Sequence, residues 1–474
     1  MSESVAPPLT EDEARWRRGL VLGAAAATVV AAGLVLIRVP AGHRDLFALR
    51  RHQIPRVLFT NASALAALGH PVRVEGSPAT NWRALHWTIE DLLQRSREPK
   101  LFWGSRQSRF HYFDKGQFMT EALTARGVWH PTHREVNLTL ARFVEQCDIT
   151  PVEEHLYYTG QAEDANGHVV DDVRPIEPLL PWDSGPGYRV NTWLGCAGVS
   201  MNAHYDLSHN VFVHILGQKT FFLLPPTASS SLYVHGKGHP QFRTSRIPDL
   251  AHVPLREFPL FEAIGELWVA DLEPGDVLYV PPTWIHLVVA GSLERGPSVS
   301  LGPSVSVNVF SDSVERAAYE AIEALPVPFE AEWPRATMLA AVPALMHLIC
   351  RLVRTTTAFD GSDGDHPVSG SAAGMHLLVQ QWAASRWAHL THETDAIMAD
   401  CRIDEPLFAT EHFQMRATAL ADGFLRIPGD GPRRLLMQNY WDTLVAFTME
   451  WDPFLAARYA VDIARFCFPP SPSG

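Results

Sequence analysis

The chain has 474 residues, of which 46% are hydrophobic and 19% charged, and its formal net charge is −13 at pH 7. This length is sufficient for two or three domains with a large core. The negative balance disfavours broad nucleic-acid binding, which needs a basic surface. Five dispersed cysteines without a CxxC pair indicate reduced thiols, and they exclude an appended zinc-finger module.

An uncharged apolar segment lies near the N-terminus. Residues 19–37 carry no charge over a length that is enough to cross a bilayer, and Arg38 follows them. The sequence therefore predicts an N-terminal transmembrane helix within a tail and anchor at residues 1–45, with a cleaved signal peptide or an organelle-targeting leader as alternatives. Arginines are more numerous after this segment than before it, which favours a single-pass membrane protein with the following part of the chain in the cytosol.

Short strand-like runs between turns dominate the next part of the chain. Thr88 is a candidate helix N-cap, because acidic residues and an apolar stripe follow it. From Trp193 to Phe310 the runs alternate with turns, as in an all-β sandwich or barrel. Gly217-Gln218 separates two of these runs and predicts a hairpin. We therefore expect a mainly β catalytic domain at residues 46–312.

After Asp312 the apolar residues take a helical spacing. This pattern predicts a C-terminal helical region at residues 313–474, which either caps the β domain or forms a homodimer. Its predicted helices are Ser313–Leu325, Ala336–Val353, Gly374–Leu390 and Arg433–Phe466.

Three polar residues in the strand-like region form a candidate metal site. His204 and Asp206 are two positions apart, so in a strand both point to the same face. His286 lies in a later strand-like run that a neighbouring strand can bring beside them. Two imidazoles and one carboxylate form the facial triad of non-haem Fe(II) oxygenases. The alternative is three polar residues in ordinary structural roles, and we regard a second HxD triplet, at residues 43–45, as a chance occurrence.

The stretches HYDLSHNVFVHILGQKTFFLLPP, from residue 204, and EPGDVLYVPPTWIH, from residue 273, resemble the JmjC or cupin-like 2-oxoglutarate oxygenases. The pattern is most similar to the asparaginyl hydroxylase that inhibits hypoxia-inducible factor. This resemblance implies a double-stranded β-helix, which is a jelly-roll fold. It also implies Fe(II), bound by His204, Asp206 and His286, and 2-oxoglutarate as the co-substrate.

The resemblance further implies a co-substrate pocket. Lys219 matches the lysine that pairs with the distal carboxylate of 2-oxoglutarate, and an ammonium group inside a barrel needs such an anion. Met201 occupies the position where the family often has a hydroxyl residue, so Ser200 is the candidate replacement. The other positions that match the pocket are Tyr157 (with Tyr158 as a competitor), Asn210 and Asn308, and His214 is expected to line the pocket or to be a polar core residue.

The implied reaction is decarboxylation of 2-oxoglutarate to succinate and CO2, coupled to hydroxylation of a side chain in a protein substrate. N-methyl-lysine demethylation is an alternative, and hydroxylation of a modified RNA base is disfavoured by the acidic composition. Two further alternatives are a non-catalytic, membrane-anchored cupin-fold binding protein and a different metal-cupin enzyme, which would not need Lys219.

Overall fold

The computed structural model describes residues 42–326, four residues between 345 and 352, and residues 410–449. Gaps interrupt the first range at residues 118, 126, 128, 150–151, 162–170, 182–186 and 292–301. The chain divides into the units Met1–Gly42 and His43–Gly474, and the following description concerns the second. The predicted membrane segment at 19–37 lies outside the described residues, as do the predicted helix at 374–390 and most of that at 336–353. Among the helices that are described, none combines the length and the hydropathy needed to cross a bilayer.

Two large β-sheets face each other at the centre of this unit. One has six strands in the order β2-β14-β12-β16-β10-β6, and the other has nine in the order β3-β4-β15-β11-β17-β9-β8-β5-β7. The strands in the described residues are β1 His43–Arg44, β2 Arg50–Gln53, β3 Arg56–Leu58, β4 Val72–Glu75, β5 Lys100–Ser105, β6 Arg109–Phe110, β7 Arg134–Leu138, β8 His155–Gln161, β9 Tyr188–Cys196, β10 Ser200–Tyr205, β11 His209–Leu216, β12 Lys219–Leu224, β13 Val253–Pro254, β14 Glu266–Leu272, β15 Val277–Val280, β16 Ile285–Ala290 and β17 Pro303–Ser311.

Each strand sends alternate side chains to opposite faces of its sheet. On β11, Val211 and Val213 belong to a hydrophobic cluster on the outer face of the nine-stranded sheet. Asn210 and Phe212 alternate with these valines along β11, so they point to the opposite face of the sheet. There they line a cavity that residues of both sheets enclose. The predicted mainly β core is therefore confirmed as a cupin-like β-sandwich, and Asn210 is a polar strand residue that faces its interior.

Helices cover the outer faces of both sheets. The predicted N-cap at Thr88 is confirmed, because its side chain accepts a hydrogen bond from the Asp91 backbone and Asp91 accepts one from the Thr88 backbone. The α-helices in the described residues are α1 Ala62–Ala66, α2 Ile89–Arg95, α3 Thr120–Ala125, α4 Leu140–Cys147, α5 Val314–Glu323, α6 Glu411–Leu425 and α7 Asp430–Met449. The 3-10 helices are Leu46–Ala48, Pro78–Asn81, Arg83–His86, Glu177–Leu179, Pro226–Ala228 and Pro259–Ala263.

The C-terminal helices α5, α6 and α7 share one hydrophobic cluster with the six-stranded sheet. Tyr205 and Phe222 of the sheet are in the same cluster as Tyr319, Phe424 and Leu436 of the helices. Burial of large aromatic side chains is the main source of stability in such a contact. Of the two expectations for this region, packing on the β domain is the one observed.

The predicted hairpin at Gly217-Gln218 is wrong. The turn joins β11 to β12, but these strands belong to different sheets: β11 pairs with β15 and β17, whereas β12 pairs with β14 and β16. Gly217 has a φ of 78°, and a Cβ atom there would lie 2.9 Å from the carbonyl oxygen of Pro303. The turn therefore carries the chain from one sheet to the other, and it requires glycine for its conformation and for this close approach.

The prediction of reduced thiols is wrong for one pair. Cys147, the last residue of α4, forms a disulfide with Cys196, the last residue of β9, and their Cα atoms are 5.0 Å apart. The two cysteines are 49 positions apart in the sequence, and they meet because α4 packs against β8, the neighbour of β9. The other three cysteines lie outside the described residues.

Candidate metal centre and co-substrate cavity

The three predicted metal ligands converge between two neighbouring strands. His204 on β10 and His286 on β16 are direct cross-strand partners, and their ring centroids are 4.3 Å apart. Asp206 follows β10, and its Oδ2 lies 3.7 Å from Nε2 of His286. One ligand atom from each residue lies within 4.8 Å of the other two. This spacing and this set of two nitrogen donors and one oxygen donor fit a divalent metal with open coordination positions.

A backbone hydrogen bond connects the two ligand-bearing segments. The N–H of Thr283, just before β16, donates to the carbonyl oxygen of Asp206 at 2.7 Å. Thr283 is fully buried and has a φ of 66°, a conformation that is rare for a β-branched residue. Such strain persists only where the surrounding structure maintains it. Thr283 therefore holds Asp206 next to His286.

Both histidines are oriented so that one ring nitrogen remains for a metal. Nδ1 of His204 lies 2.7 Å from the carbonyl oxygen of Asn202, and Nδ1 of His286 lies 3.0 Å from that of Trp284. Because a carbonyl oxygen only accepts hydrogen bonds, each Nδ1 carries the proton and donates. Each Nε2 then has a free lone pair, as a metal-binding imidazole requires.

The electrostatics of the site favour the ligand forms of these side chains. Burial, and then the charge of His286, lower the pKa of His204, so its imidazole is neutral. Burial alone would raise the pKa of Asp206. The electrostatic influence of His204 and His286, and then of Arg243 and Arg189, outweighs burial, so the pKa of Asp206 is lowered. Asp206 is therefore an ionised carboxylate, which is the form that binds a metal.

The second HxD triplet has a structural role. Asp45 accepts a hydrogen bond from the backbone N–H of Phe47 at 2.8 Å and caps a 3-10 helix, and His43 is exposed. Within the described residues, the triad at 204, 206 and 286 is the group of His, Cys, Asp and Glu side chains that can hold a metal ion. Our interpretation of the triplet at 43–45 as a chance occurrence is consistent with this arrangement.

A cavity of about 300 Å³ adjoins the triad between the two sheets, and we call it the inner cavity. Lys219 lines it, although its side chain is only 2% exposed, and Nζ has no hydrogen-bond partner among the described residues. The nitrogen lies 5.3 Å from the ring centroid of Phe212, and burial lowers the pKa of Lys219 to about 7. A buried ammonium group without a partner is unfavourable, so this position fits the carboxylate of a bound anion.

Tyr157, Asn210 and Asn308 also line the inner cavity. Tyr158, the competitor of Tyr157, points to the opposite face of β8 and belongs to the outer hydrophobic cluster. Asn308 accepts a hydrogen bond from Nε1 of Trp193 at 2.7 Å and donates one to Oδ1 of Asn210 at 3.0 Å. The two asparagines therefore form one connected polar wall.

Two of the residues considered from the sequence do not line this cavity. Ser200 is absent from the wall, whereas Met201 is part of it, because an irregularity between Met201 and His204 puts these two on the same face. His214 is fully buried, and its Nδ1 lies 3.1 Å from Oγ of Ser306. Burial, and then the charge of Lys219, lower the pKa of His214 to about 3, so it is a neutral polar residue of the core.

A second cavity, of about 290 Å³, lies on the Asp206 side of the triad, and we call it the outer cavity. The two cavities share six lining residues, which are Arg189, Tyr205, Asp206, Phe242, Arg243 and Phe310. The remaining wall includes residues of α5 and Asn439 of α7. The shared lining shows that the two cavities adjoin each other at Asp206.

Sequence reasoning missed most of the outer cavity. Arg189, Asn191 and Trp193 alternate along β9, and all three line the inner cavity. Because alternate residues of a strand share a face, this spacing could have indicated Arg189 as a cavity residue. Arg243 lies in an irregular segment between β12 and β13, and Asn439 comes from a helix far along the chain. No sequence pattern that we identified indicates these two positions.

Comparisons with known proteins agree with this architecture. Residues 130–316 match the family model described as the cupin-like domain. The chain is 36% identical over 100 residues to "JmjC domain-containing protein D" of Dictyostelium discoideum and 35% identical over 108 residues to "Jumonji C domain-containing protein 5" of Drosophila melanogaster. It is also 25% identical over 242 residues to "tRNA wybutosine-synthesizing protein 5" of Gallus gallus.

These alignments cover 21%, 22% and 49% of this chain, respectively. They span 22% and 26% of the length of the first two relatives and 68% of the third. Residues 130–316 therefore match a cupin-like domain, and parts of the chain are similar to proteins named for JmjC domains. The matches support this family and do not single out the asparaginyl hydroxylase as its nearest member.

Proposed function

We propose that the protein is an Fe(II)- and 2-oxoglutarate-dependent oxygenase that hydroxylates a side chain of a protein substrate. The observation that carries this proposal is the convergence of His204, Asp206 and His286 in the same cavity wall as an unpartnered, buried Lys219. A structural role for the three polar residues alone would not require a buried cation beside them. The choice of a protein substrate rests on the sequence pattern of the two stretches described above and on the net charge of −13, which disfavours a nucleic acid.

In this proposal His204, Asp206 and His286 hold the iron, and Lys219 binds the distal carboxylate of 2-oxoglutarate. When bound, Fe(II) with 2-oxoglutarate supplies oxidative decarboxylation and the transfer of one oxygen atom to the substrate. The protein orients the reactants and excludes water. Met201 and Phe212 provide apolar lining of the inner cavity, and Asn308 and Asn210 provide its polar wall.

The test is formation of succinate from 2-oxoglutarate by the purified protein with Fe(II) and O2. We expect His204→Ala to abolish succinate formation, because two ligands cannot retain the metal in an active geometry. His43→Ala is the matched control, since it removes the histidine of the other HxD triplet. If the wild-type protein forms no succinate, the proposal fails in favour of a non-catalytic binding protein or a different cupin enzyme.

The product separates hydroxylation from its alternatives. Mass spectrometry of proteins trapped by the His286→Ala variant would show a substrate that gains one oxygen atom on turnover by the wild-type protein. Demethylation of N-methyl-lysine would instead release formaldehyde and shorten the modified side chain. Either outcome is compatible with the same iron site, so the product decides between them.

A second candidate is hydroxylation of a modified RNA base. The relative from Gallus gallus is named for wybutosine synthesis on tRNA, and of the three relatives described above it aligns with the largest part of this chain. The net charge of −13 opposes this candidate, because RNA binding needs a basic surface. Incubation with total tRNA in the succinate assay would reveal it as stimulation that ribonuclease removes.

A further inference from the structure

The walls of the outer cavity carry several charged side chains, most of which are paired. Nζ of Lys237 lies 2.5 Å from Oε2 of Glu323. Arg316 forms ion pairs with Asp312 at 3.1 Å and with Glu320 at 2.7 Å. These contacts neutralise the part of the cavity that α5 forms.

Arg189 and Arg243 are different. Among the described residues neither forms an ion pair within 4 Å, and the site carboxylate whose pKa they help to lower is Asp206. A divalent metal bound at the triad would use the charge of Asp206. With the metal in place, Arg189 and Arg243 at the boundary between the two cavities would therefore share Asp206 with the metal, and among the described residues neither has an ion-pair partner of its own.

The guanidinium group of Arg243 is held in a defined position. Its central carbon lies 4.6 Å from the ring centroid of Phe242, so one flat face is covered by an aromatic ring. The backbone of Arg243 has a φ of 65°, its N–H donates to the carbonyl oxygen of His235 at 2.9 Å, and its carbonyl oxygen accepts from the N–H of Tyr205 at 3.2 Å. Stacking leaves the edge of the guanidinium group, with its N–H donors, available to a carboxylate.

We propose that the outer cavity binds a carboxylate side chain of an acidic polypeptide substrate through Arg189 and Arg243. The inference rests on the proposed function, because it names the substrate class of the same site. The bound carboxylate restores the charge balance at the boundary and places the neighbouring substrate residue beside the triad. Arg243 acts as the oriented anchor, and Arg189, which is exposed at the cavity rim, attracts the acidic segment.

The surroundings favour a polypeptide over a nucleic acid. Lys237 and Arg316, the other basic side chains that line the outer cavity, are already paired with carboxylates. A phosphodiester chain carries one negative charge per nucleotide and would need more unpaired cations than this cavity offers. A single aspartate or glutamate side chain requires only the two arginines.

The test is binding of a peptide array to the full chain loaded with Mn²⁺ and 2-oxoglutarate, which measures recognition without turnover. We expect selected peptides to contain aspartate or glutamate at one fixed position, and replacement of that residue by its amide to weaken binding about 10- to 100-fold. Arg243→Gln and Arg189→Gln should each remove this preference. Arg142→Gln, which removes an exposed arginine paired with Glu145 on α4, is the control and should retain it.

The outcomes separate this inference from the proposed function. The inference is overturned if the selected peptides share no acidic position. It is also overturned if Arg243→Gln retains the acidic preference, even when the protein forms succinate. Tighter binding of single-stranded RNA or tRNA than of any peptide would overturn it as well. An acidic preference that depends on both arginines would support it. If the succinate assay failed beside that preference, the proposed function would be overturned, and the acidic polypeptide would be a binding partner and not a substrate.

Discussion

A buried lysine destabilises a protein until an anion neutralises it. Lys219 should therefore lower the stability of the ligand-free protein while improving its affinity for 2-oxoglutarate. We expect Lys219→Met to raise the KM for 2-oxoglutarate about 10- to 100-fold, the effect of losing a hydrogen bond to a charged group. The same variant should raise the free energy of unfolding of the ligand-free protein by about 1–3 kcal/mol.

Steady-state kinetics and urea unfolding measure these two effects. Lys115→Met is the control for the loss of one positive charge, because Lys115 is exposed. An unchanged KM in Lys219→Met would contradict the assignment of Lys219 to the co-substrate.

The pH dependence of stability provides an independent check on the same residue. Burial lowers the pKa of Lys219 from 10.5 to about 7, so between these values the unfolded chain binds a proton that the folded protein does not. The stability of the ligand-free protein should therefore rise from pH 7 toward pH 10, by up to about 1.4 kcal/mol per pH unit from this group. Thermal unfolding across this range, compared between the wild type and Lys219→Met, measures the difference. Parallel curves for the two proteins would be inconsistent with a lowered pKa.

The pairing of His204 with Asp206 in the candidate metal site was predictable from the sequence because a strand alternates its faces with a period of two, whereas the role expected of Lys219 came from the family resemblance. That rule places His204 with Asp206, and in the structure it separates Tyr157 from Tyr158. The rule fails at Met201. A local irregularity there changes the register, so that Met201 lines the inner cavity and Ser200 does not. A bulge of this kind leaves no mark in composition or periodicity.

At the scale of single elements, the crossing at Gly217 is a clear test. Gly217 and Gly275 both have positive φ, but a Cβ atom at Gly275 would have nothing within 4 Å. We expect Gly217→Ala to lower the free energy of unfolding by about 1–2 kcal/mol for the backbone conformation, plus about 1 kcal/mol or more for the contact with Pro303. Gly275→Ala should show only the first effect. Urea unfolding of both variants measures the difference, and equal losses would mean that the close approach is relieved at no cost.

Helix α7 reaches the metal centre through one side chain. Nδ2 of Asn439 donates to the hydroxyl of Tyr205 at 2.6 Å, and its Oδ1 accepts from the hydroxyl of Tyr319 at 3.0 Å and from the backbone N–H of Lys237 at 2.9 Å. Tyr205 stands between His204 and Asp206 in the sequence. The helix is therefore connected to the strand that carries His204 and leads directly into Asp206.

We expect Asn439→Ala to lower the free energy of unfolding by about 2–4 kcal/mol, because it removes three hydrogen bonds between buried or partly buried groups. Tyr205→Phe, which removes one partner only, should cost about 1 kcal/mol. A double-mutant cycle measured by urea unfolding gives the coupling between the two residues. Additive effects would contradict a direct interaction between α7 and Tyr205.

Individual helices could be located from the sequence where a cap is present, as at Thr88 and at Ser313. The partners of the strands could not. The turn at Gly217-Gln218 is visible as a turn, but whether the next strand returns beside β11 or joins the other sheet depends on the surfaces that β14 and β16 offer to β12. Strand pairing of this kind is a property of the assembled sandwich.

At the scale of the whole molecule, the disulfide links a helix on the outer face to the nine-stranded sheet. We expect reduction of the Cys147–Cys196 bond to lower the free energy of unfolding by about 2–4 kcal/mol, as for a bond that closes a loop of this size. Thermal unfolding with and without reductant measures the loss. The double variant Cys147→Ser, Cys196→Ser should be insensitive to reductant, and a wild-type protein equally insensitive would contradict the bond.

Composition and chain order were sufficient to predict a mainly β core followed by helices. They could not show that the helices complete the substrate side of the site. Asn439 and Glu323 line the outer cavity together with Arg189, which is far from both in the sequence. Only the folded arrangement of sheet and helices relates these residues to one another.

The bond between Asn439 and Tyr205 has a practical consequence for any attempt to shorten this protein. Trimming the chain to the portion that matches the cupin-like family, residues 130–316, would keep the three ligands but discard α6 and α7. The aromatic residues that those helices cover would then be exposed to water, and the outer cavity would lose the part of its wall that Asn439 forms. The candidate site therefore belongs to a larger structural unit than the segment that matches the family model.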